Sequence, residues 1–211
     1  MELLAATTSG FNWEAVCVMI STCFCAWLAY NQTRHNKLTD IQLEEYKKEL
    51  ARKSNRRNDN TSKVWGEIHH LLGQLRADRV YIIQTYPLGR NDFITVEFEV
   101  TVHGVAFIKE SIKDMHISEV PKFCSVISST DFIHIKTLED MEGMRARALF
   151  ATNGTQQMYI YRLKDSTYDW IGSLVCDYTT DDVPTEEEAL RAMEVAGLNI
   201  QYILPEIQSF K

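Results

Sequence analysis

The sequence has no lysine or arginine before Arg34 and only five cysteines in 211 residues. It contains no Cys-x-x-Cys pair, and no cysteine is spaced with histidines as a zinc site requires, so we predict neither a disulfide framework nor a metal site. It also lacks a glycine-rich phosphate loop, a Gly-x-Ser-x-Gly nucleophile elbow and a His-Glu-x-x-His motif. We therefore expect no catalytic residues and no cofactor, and we interpret the protein as a non-enzyme.

The charges that are present are unevenly distributed. The formal net charge is −7, and residues 81–211 hold eleven Lys/Arg against twenty Asp/Glu. Phosphate binding needs clustered cations, so this acidic portion argues against a nucleic-acid partner.

An uncharged run, AVCVMISTCFCAWLAY, extends from Ala15 to Tyr30. Together with Phe11 and Trp13 it approaches the roughly 20 residues that a bilayer-spanning helix needs. We therefore predict a transmembrane helix at 11–30 that contacts the lipid bilayer, with aromatic residues at the membrane interfaces: Trp13, Trp27 and Tyr30. A cleaved signal peptide and a buried helix are the alternatives, but no positive n-region precedes the run and the run is apolar or small on all sides.

Cations follow the run and none precedes it. The positive-inside rule then predicts a single-pass protein of a bacterial inner (plasma) membrane, with residues 1–10 outside and the globular part in the cytoplasm. Residues 31–60 read as a charged helical stalk ending in a polar linker, Ser54–Ser62. We expect the stalk to support a homo-oligomer.

The stretch from Asp78 to Val102 predicts a β-hairpin. An apolar run at 80–83 leads to a Pro87-Leu88-Gly89 turn, after which apolar residues from Ile94 to Val102 alternate with Thr95, Glu97, Glu99 and Thr101. Alternation of this kind indicates a strand with one apolar and one polar face, in an antiparallel sheet whose polar face is open or overlain by the irregular crossover.

Amphipathic helices at 63–76 and 185–204 can cover the apolar face. Thr185 and Glu188 are spaced as a capping box at the start of the second helix. Between hairpin and helix lie an irregular crossover, 104–144, then a predicted hairpin around Asn153-Gly154 and a strand at Trp170–Tyr178. The fold class we predict for residues 61–211 is α+β, a two-layer domain with a roughly five-stranded antiparallel sheet covered by its N- and C-terminal helices.

Over residues 61–205 this order of elements resembles a GAF domain, a sensory fold. The most similar pieces are RVYIIQ followed by FITVEFEV, and DWIGSLVCDY followed by TEEEALRAMEVAGLNIQYIL. The resemblance implies a ligand pocket shaped by the crossover. The candidate ligand-binding residues there are His116, Phe123, Ser128, Asp131, Phe132 and His134. Cys124 also lies in the crossover, where bilin-binding members carry an exposed cysteine, but it lacks the usual neighbours and we interpret it as ordinary packing.

The whole layout also resembles the large single-span holins of T-even phages. Two hypotheses follow. The first is a membrane-anchored GAF-like sensor or protein-interaction module with an unknown protein partner, which relays binding through its span or stalk. The alternative is a phage holin or lysis regulator whose spans cluster to permeabilise the inner membrane.

Overall fold

A computed structural model describes residues 13–87 and 89–205. The predicted N-terminus 1–10, the start of the predicted span at 11–12, Leu88 of the predicted turn and residues 206–211 lie outside the described residues. So do the side chains of 13–16, 33–42, 45, 50 and 53–57, and with them the interface prediction for Trp13.

Ten helices and strands make up the described chain. In order they are α1 (Trp13–Leu75), β1 (Arg79–Tyr86), β2 (Phe93–Thr101), β3 (Met115–His116), α2 (Pro121–Ser129), β4 (Phe132–Ile135), α3 (Met144–Thr152), β5 (Gln157–Lys164), β6 (Trp170–Tyr178) and α4 (Glu186–Gln201). Short 3₁₀ turns at Lys109–Ile112, Ile117–Glu119 and Leu138–Asp140 interrupt the crossover.

The chain divides into two compact units, residues 1–55 and 56–211. The boundary falls inside the predicted linker, whose backbone is helical because α1 runs through it. In the first unit, Trp27 and Tyr30 are exposed on α1.

The predicted transmembrane helix at 11–30 is wrong, and with it the single-pass inner-membrane localisation. Among the described residues, no helix combines the length and the apolar character that crossing a bilayer demands. The physical reason lies in the apolar part of the uncharged segment, which ends at Tyr30 and is sixteen residues long. At 1.5 Å per residue it rises about 24 Å, short of a hydrocarbon core of about 30 Å.

The second unit is α+β, as predicted, but its sheet has six strands rather than five. The strand order is β3-β2-β1-β6-β5-β4, and every neighbouring pair is antiparallel. The hairpin predicted around Asn153-Gly154 is absent, since the ARALFAT segment forms helix α3 and Gly154, at φ 77°, follows its C-cap. Glycine is favoured at that position for the same reason as in a turn, because it tolerates positive φ.

The sheet is covered on both faces, so the predicted two-layer arrangement is also wrong. On one side, the helix face, residues 64–75 of α1 and helix α4 pack on the sheet. On the other, the crossover face, α2, α3 and the loop after β2 cover it. Strand β1 is accordingly buried along its whole length.

A β-bulge explains why β2 does not have one apolar and one polar face. Ile82 pairs with Phe98 and Ile83 pairs with Val96, which leaves Glu97 without a partner on β1. An extra residue reverses the direction of every side chain beyond it. The two apolar residues before the bulge, Ile94 and Val96, therefore join the crossover-face core, and the two after it, Phe98 and Val100, join the helix-face core.

Candidate functional site

The six predicted ligand-binding residues do not form one cluster. Phe123 is buried in the crossover-face core, where its ring centroid lies 5.3 Å from that of Phe150. Phe132 packs on the opposite, helix-face core and stacks on Tyr159. The sheet separates these two phenylalanines, so they cannot contact one ligand together.

His134 shares the helix-face side with Phe132. Its ring lies 4.2 Å from the ring of Tyr159, its partner in the β4–β5 register, and its Nδ1 lies 3.6 Å from Oε2 of Glu186. Both ring nitrogens are buried without a hydrogen-bond partner among the described atoms.

The remaining three predicted residues are engaged in local contacts. Asp131 is exposed and pairs with Lys164 at 2.6 Å, and the hydrogen bond from Lys164 lowers the pKa of its carboxyl. His116 caps a 3₁₀ turn by accepting a hydrogen bond from the Ser118 amide through Nδ1. The Ser128 hydroxyl donates to the Ser125 carbonyl within α2.

Side chains fill the crossover face, where the GAF resemblance places a ligand pocket. Strands, α2 and α3 contribute a continuous cluster of buried apolar residues that includes Ile83, Ile108, Phe150, Met158 and Val175. Cys124 belongs to this cluster, and burial raises the pKa of its thiol to about 12. A thiol in that state is a packing group and a poor nucleophile.

One end of the crossover face holds a buried charged network that sequence reasoning missed. Arg79 and Asp177 are both fully buried, with Nη2 2.7 Å from Oδ2. Arg79 also donates to the carbonyls of Ala106 and Asn153, and Thr155 donates to the same Asp177 oxygen at 2.8 Å. The guanidinium therefore joins β1 and β6 to the loop after β2 and to the end of α3.

Glu99 also binds the loop after β2 on the same face, as a hydrogen-bond acceptor. It is paired with Tyr81 across β1 and β2, and its carboxylate accepts from the amides of Ile108 and Lys109 at 2.6 and 2.8 Å. The Arg79 side chain satisfies loop carbonyls and the Glu99 side chain satisfies loop amides, so two strand residues supply the hydrogen bonds that this irregular backbone cannot supply itself.

Burial dominates the electrostatics of this network. It raises the pKa of Asp177 to about 6 against the opposing effect of the Arg79 guanidinium, and it raises the pKa of Glu99. Desolvation likewise raises the pKa of Tyr81, whose hydroxyl, like Oδ1 of Asp177, has no hydrogen-bond partner among the described atoms. These groups stabilise the fold, and they include no nucleophile with an adjacent base.

An open concavity lies on the helix face. A groove of about 760 Å³ runs between the last turns of α1 and the first half of α4. Its polar lining residues are Glu67, His70, Gln74, Arg76, Asp182, Glu188 and Arg191, and its apolar ones are Leu75, Val183, Pro184, Ala192, Val195 and Ala196. Asn199 crosses from α4 to α1 by donating to Glu67 at 3.1 Å. We name this feature the helix-face groove.

The sequence contained a partial signal for the groove. The helix at 185–204 and its capping box are confirmed, with Thr185 and Glu188 bonded reciprocally, and hydrogen bonds from Thr185 lower the pKa of Glu188. Amphipathic periodicity shows which face of each helix is inward, but it does not show that the outward edges of two helices leave a gap. For metals, the described residues contain no cluster of three or more His, Cys, Asp or Glu that could hold an ion.

No protein-family model and no curated protein sequence matches the chain. Several solved structures match the chain. The chain is similar to the blue-light absorbing form of the PixJ GAF domain from Thermosynechococcus elongatus, with a TM-score of 0.55 and 10% identity over 70% of this chain and 88% of that one. It is similar to a GAF domain region from Geobacter sulfurreducens PCA, with a TM-score of 0.52 and 17% identity over 71% and 96% of the two chains.

A third similar structure is the chromophore-binding domain of a bacteriophytochrome from R. palustris, with a TM-score of 0.51 and 11% identity. The match covers 72% of this chain but only 60% of that one. The Geobacter structure is the GAF domain region of a protein described as a membrane protein, but the similarity concerns the GAF domain region and shows neither a membrane anchor nor a holin. At such low identity the similarity concerns the fold alone, and that fold is GAF-like.

Proposed function

We propose that residues 56–211 are a non-enzymatic GAF-like sensor or protein-interaction module whose binding surface is the helix-face groove. The observation that carries this proposal is the open volume of about 760 Å³ between α1 and α4, whereas the predicted ligand residue Phe123 on the crossover face is buried in an apolar cluster. Ligand sites are typically concavities of roughly 300–1,000 Å³ with apolar walls and a few polar groups, and the groove has that size and composition.

The lining argues for a segment of a partner protein as the ligand. Acidic and basic side chains both line the groove beside its apolar residues, with Glu67 and Glu188 among the acids and Arg76 and Arg191 as the arginines. A peptide can offer both charges and an apolar anchor at once, whereas a polyanion such as nucleic acid would meet the three acidic residues of the lining. The membrane relay and the holin alternative are not part of this proposal.

A photo-crosslinking amino acid placed at Gln74 tests the proposal in the full chain inside its native cell. We expect one discrete adduct, whose partner, once purified, binds the wild type and binds the Val195→Arg variant on the order of 100-fold more weakly. Two matched controls use Met144, an exposed residue of α3 on the other face: one has the photo-crosslinking amino acid at this position and the other has arginine. Equal loss of binding in Met144→Arg would count against the groove.

Thermal-shift screening tests whether a small ligand binds on the crossover face instead. Nucleotides, tetrapyrroles and amphiphiles are added to the full chain, to Val195→Arg and to Tyr81→Phe, which alters only the crossover face. A melting-temperature increase that survives in Val195→Arg and disappears in Tyr81→Phe would replace the groove by a crossover-face ligand site. Silence with all three compound classes leaves the protein-interaction form.

A further inference from the structure

The first unit carries an exposed apolar surface between residues 17 and 31 of α1. Seven large hydrophobic side chains there are each at least 44% exposed: Val18, Met19, Ile20, Phe24, Trp27, Leu28 and Tyr30. An isolated chain rarely exposes a contiguous apolar patch of more than a few hundred Å², so a cluster of this kind indicates an interaction surface.

The polar groups within this surface already have partners. The Ser21 hydroxyl donates to the Val18 carbonyl at 3.0 Å, and the Thr22 hydroxyl donates to the same carbonyl at 2.8 Å. Covering the segment therefore leaves neither hydroxyl without a hydrogen bond, which removes the usual cost of burying serine and threonine.

The charge distribution indicates what kind of partner fits. No Asp, Glu, Lys or Arg occurs between Glu14 and Arg34, although the chain as a whole has a net charge of −7. Two copies of an acidic chain repel each other through most of their surface, and along this segment they meet no like charge.

The spacing of the side chains indicates how two copies pack. Cys17, Ile20, Phe24, Trp27 and Asn31 follow one another at intervals of three, four, three and four residues, which is the a/d pattern of a two-stranded coiled coil. The rings of Phe24 and Trp27 already stack at 6.0 Å along that line. Asn31 falls at an a position, where a single asparagine specifies a dimer and its register by pairing with its counterpart.

We propose that residues 17–31 of α1 form a parallel, in-register seam with the same residues of a second copy of this chain. The seam does not depend on the helix-face groove, which lies in the other unit. An antiparallel pairing of the same residues would place each Asn31 amide opposite Cys17 and away from its complement, so the asparagine favours the parallel arrangement.

Two adjacent substitutions test the seam with equal perturbation. Ile20 and Met19 are 63% and 66% exposed, but Ile20 lies on the seam at d and Met19 lies at c, away from it. By sedimentation equilibrium of the full chain we expect the wild type and Met19→Glu to be dimers. For Ile20→Glu we expect the dimer dissociation constant to increase on the order of 100-fold. Thermal unfolding of the second unit, unchanged in both variants, verifies the fold. A monomeric wild type, or equal behaviour of the two variants, overturns the proposal.

Native cysteines supply a test of orientation. Cys17 lies at a on the seam, Cys25 lies at b on the outer side, and both are exposed, while Cys124 and Cys176 are buried. With one of the exposed cysteines retained at a time, mild oxidation by copper phenanthroline should link Cys17 to the Cys17 of the second copy on the order of tenfold faster than Cys25 to Cys25, because only a-position sulfurs come within disulfide range. Faster linkage through Cys25 would overturn the parallel seam.

Discussion

The two faces of the sheet achieve burial by different means. On the helix face, α1 and α4 satisfy their own backbone hydrogen bonds, and the core beneath them is built of apolar side chains with Tyr159 and Tyr178. On the crossover face the covering segment is irregular, and the three buried charged residues of the described chain, Arg79, Glu99 and Asp177, all lie there.

The comparison shows that buried charge follows from irregular backbone. A regular helix brings no unpaired amides or carbonyls to the sheet except at its ends, so apolar side chains suffice beneath it. The loop after β2 brings the carbonyl of Ala106 and the amides of Ile108 and Lys109, and each is bonded to a charged strand residue. Leaving such groups unpaired costs about 1–3 kcal/mol each, which these charged side chains prevent.

Among the substitutions that test this difference between the faces, Arg79→Ala should lower the free energy of unfolding most. It leaves Asp177 buried without its cation and removes a donor from the Ala106 carbonyl, so we expect the free energy of unfolding to fall by about 3–5 kcal/mol. Urea denaturation measures it. Replacing both partners, as Arg79→Met with Asp177→Leu, should recover part of the loss, because no unpaired charge is then buried. A single variant as stable as the wild type would contradict the role given to the pair.

Gly172→Ala tests the close approach of β6 to β1. An added Cβ would lie 2.5 Å from the Ile83 carbonyl oxygen, which is backbone and cannot move aside cheaply. We expect a loss of about 1–3 kcal/mol, seen as a lower melting temperature. Gly66→Ala is the matched control, because a Cβ added there would meet no atom within 4 Å and the residue is helical. That change should raise stability by about 0.5–1 kcal/mol.

The pH dependence of stability sharpens the contrast between the faces. The pKa of Asp177 is raised from its ordinary 3.8 to about 6 in the folded protein, so between these values the folded state binds more protons than the unfolded state. Stability from this group therefore increases as pH falls from 7 towards 4, by about 2–3 kcal/mol. Carboxyls with lowered pKa, such as Asp131, act in the opposite direction only below pH 4.

Urea unfolding of the wild type and of Asp177→Asn at pH 7.5, 6.5 and 5.5 isolates the contribution of this carboxyl. The asparagine variant should show a flatter dependence, whatever its absolute stability, because the group that takes up the proton is gone. An unchanged slope in the variant would assign the effect to the other buried carboxyl, Glu99, whose pKa is also raised by burial.

Among the destabilising changes, the smallest expected effect is that of Thr185→Ala on the helix face. Thr185 accepts a hydrogen bond from the Glu188 amide and its own amide is bonded by the Glu188 carboxylate, so the first turn of α4 loses its cap. We expect a loss of about 1 kcal/mol by thermal unfolding, with no change in the pH slope that belongs to Asp177. A pH slope altered by this variant would show that the two faces are not energetically separate.

The sequence predicted local secondary structure better than it predicted strand register and tertiary contacts. Alternation from Ile94 to Val102 and the run at 80–83 correctly predicted the β1–β2 hairpin, and Thr185 with Glu188 correctly predicted where α4 begins. Alternation also predicted that Ile94 and Val96 share a face with Phe98 and Val100, whereas they pack on the opposite side of the sheet. The unpaired Glu97 reverses the strand, and no pattern in the sequence reports a bulge, since a bulge is defined by the register of two strands.

The segment ARALFAT illustrates a second limit. Asn153-Gly154 marks a positive-φ position, which serves a hairpin turn and a helix C-cap equally well, and the helical outcome depends on Ala146 and Phe150 packing into the crossover-face core. The predicted site failed to assemble for a related reason. Phe123 and His134 lie close in sequence, and the sheet places them on opposite faces.

By itself the sequence determined the α+β class, the covering helices, the acidic surface and the uncharged segment of α1, because each follows from composition or from a periodicity of a few residues. Only the tertiary structure decided which face each side chain joins, that Arg79, Glu99 and Asp177 are buried together, and that the groove opens on the helix side. These depend on strand register and on contacts such as that between Arg79 and Asp177, 98 residues apart, and no local pattern encodes a contact at that separation.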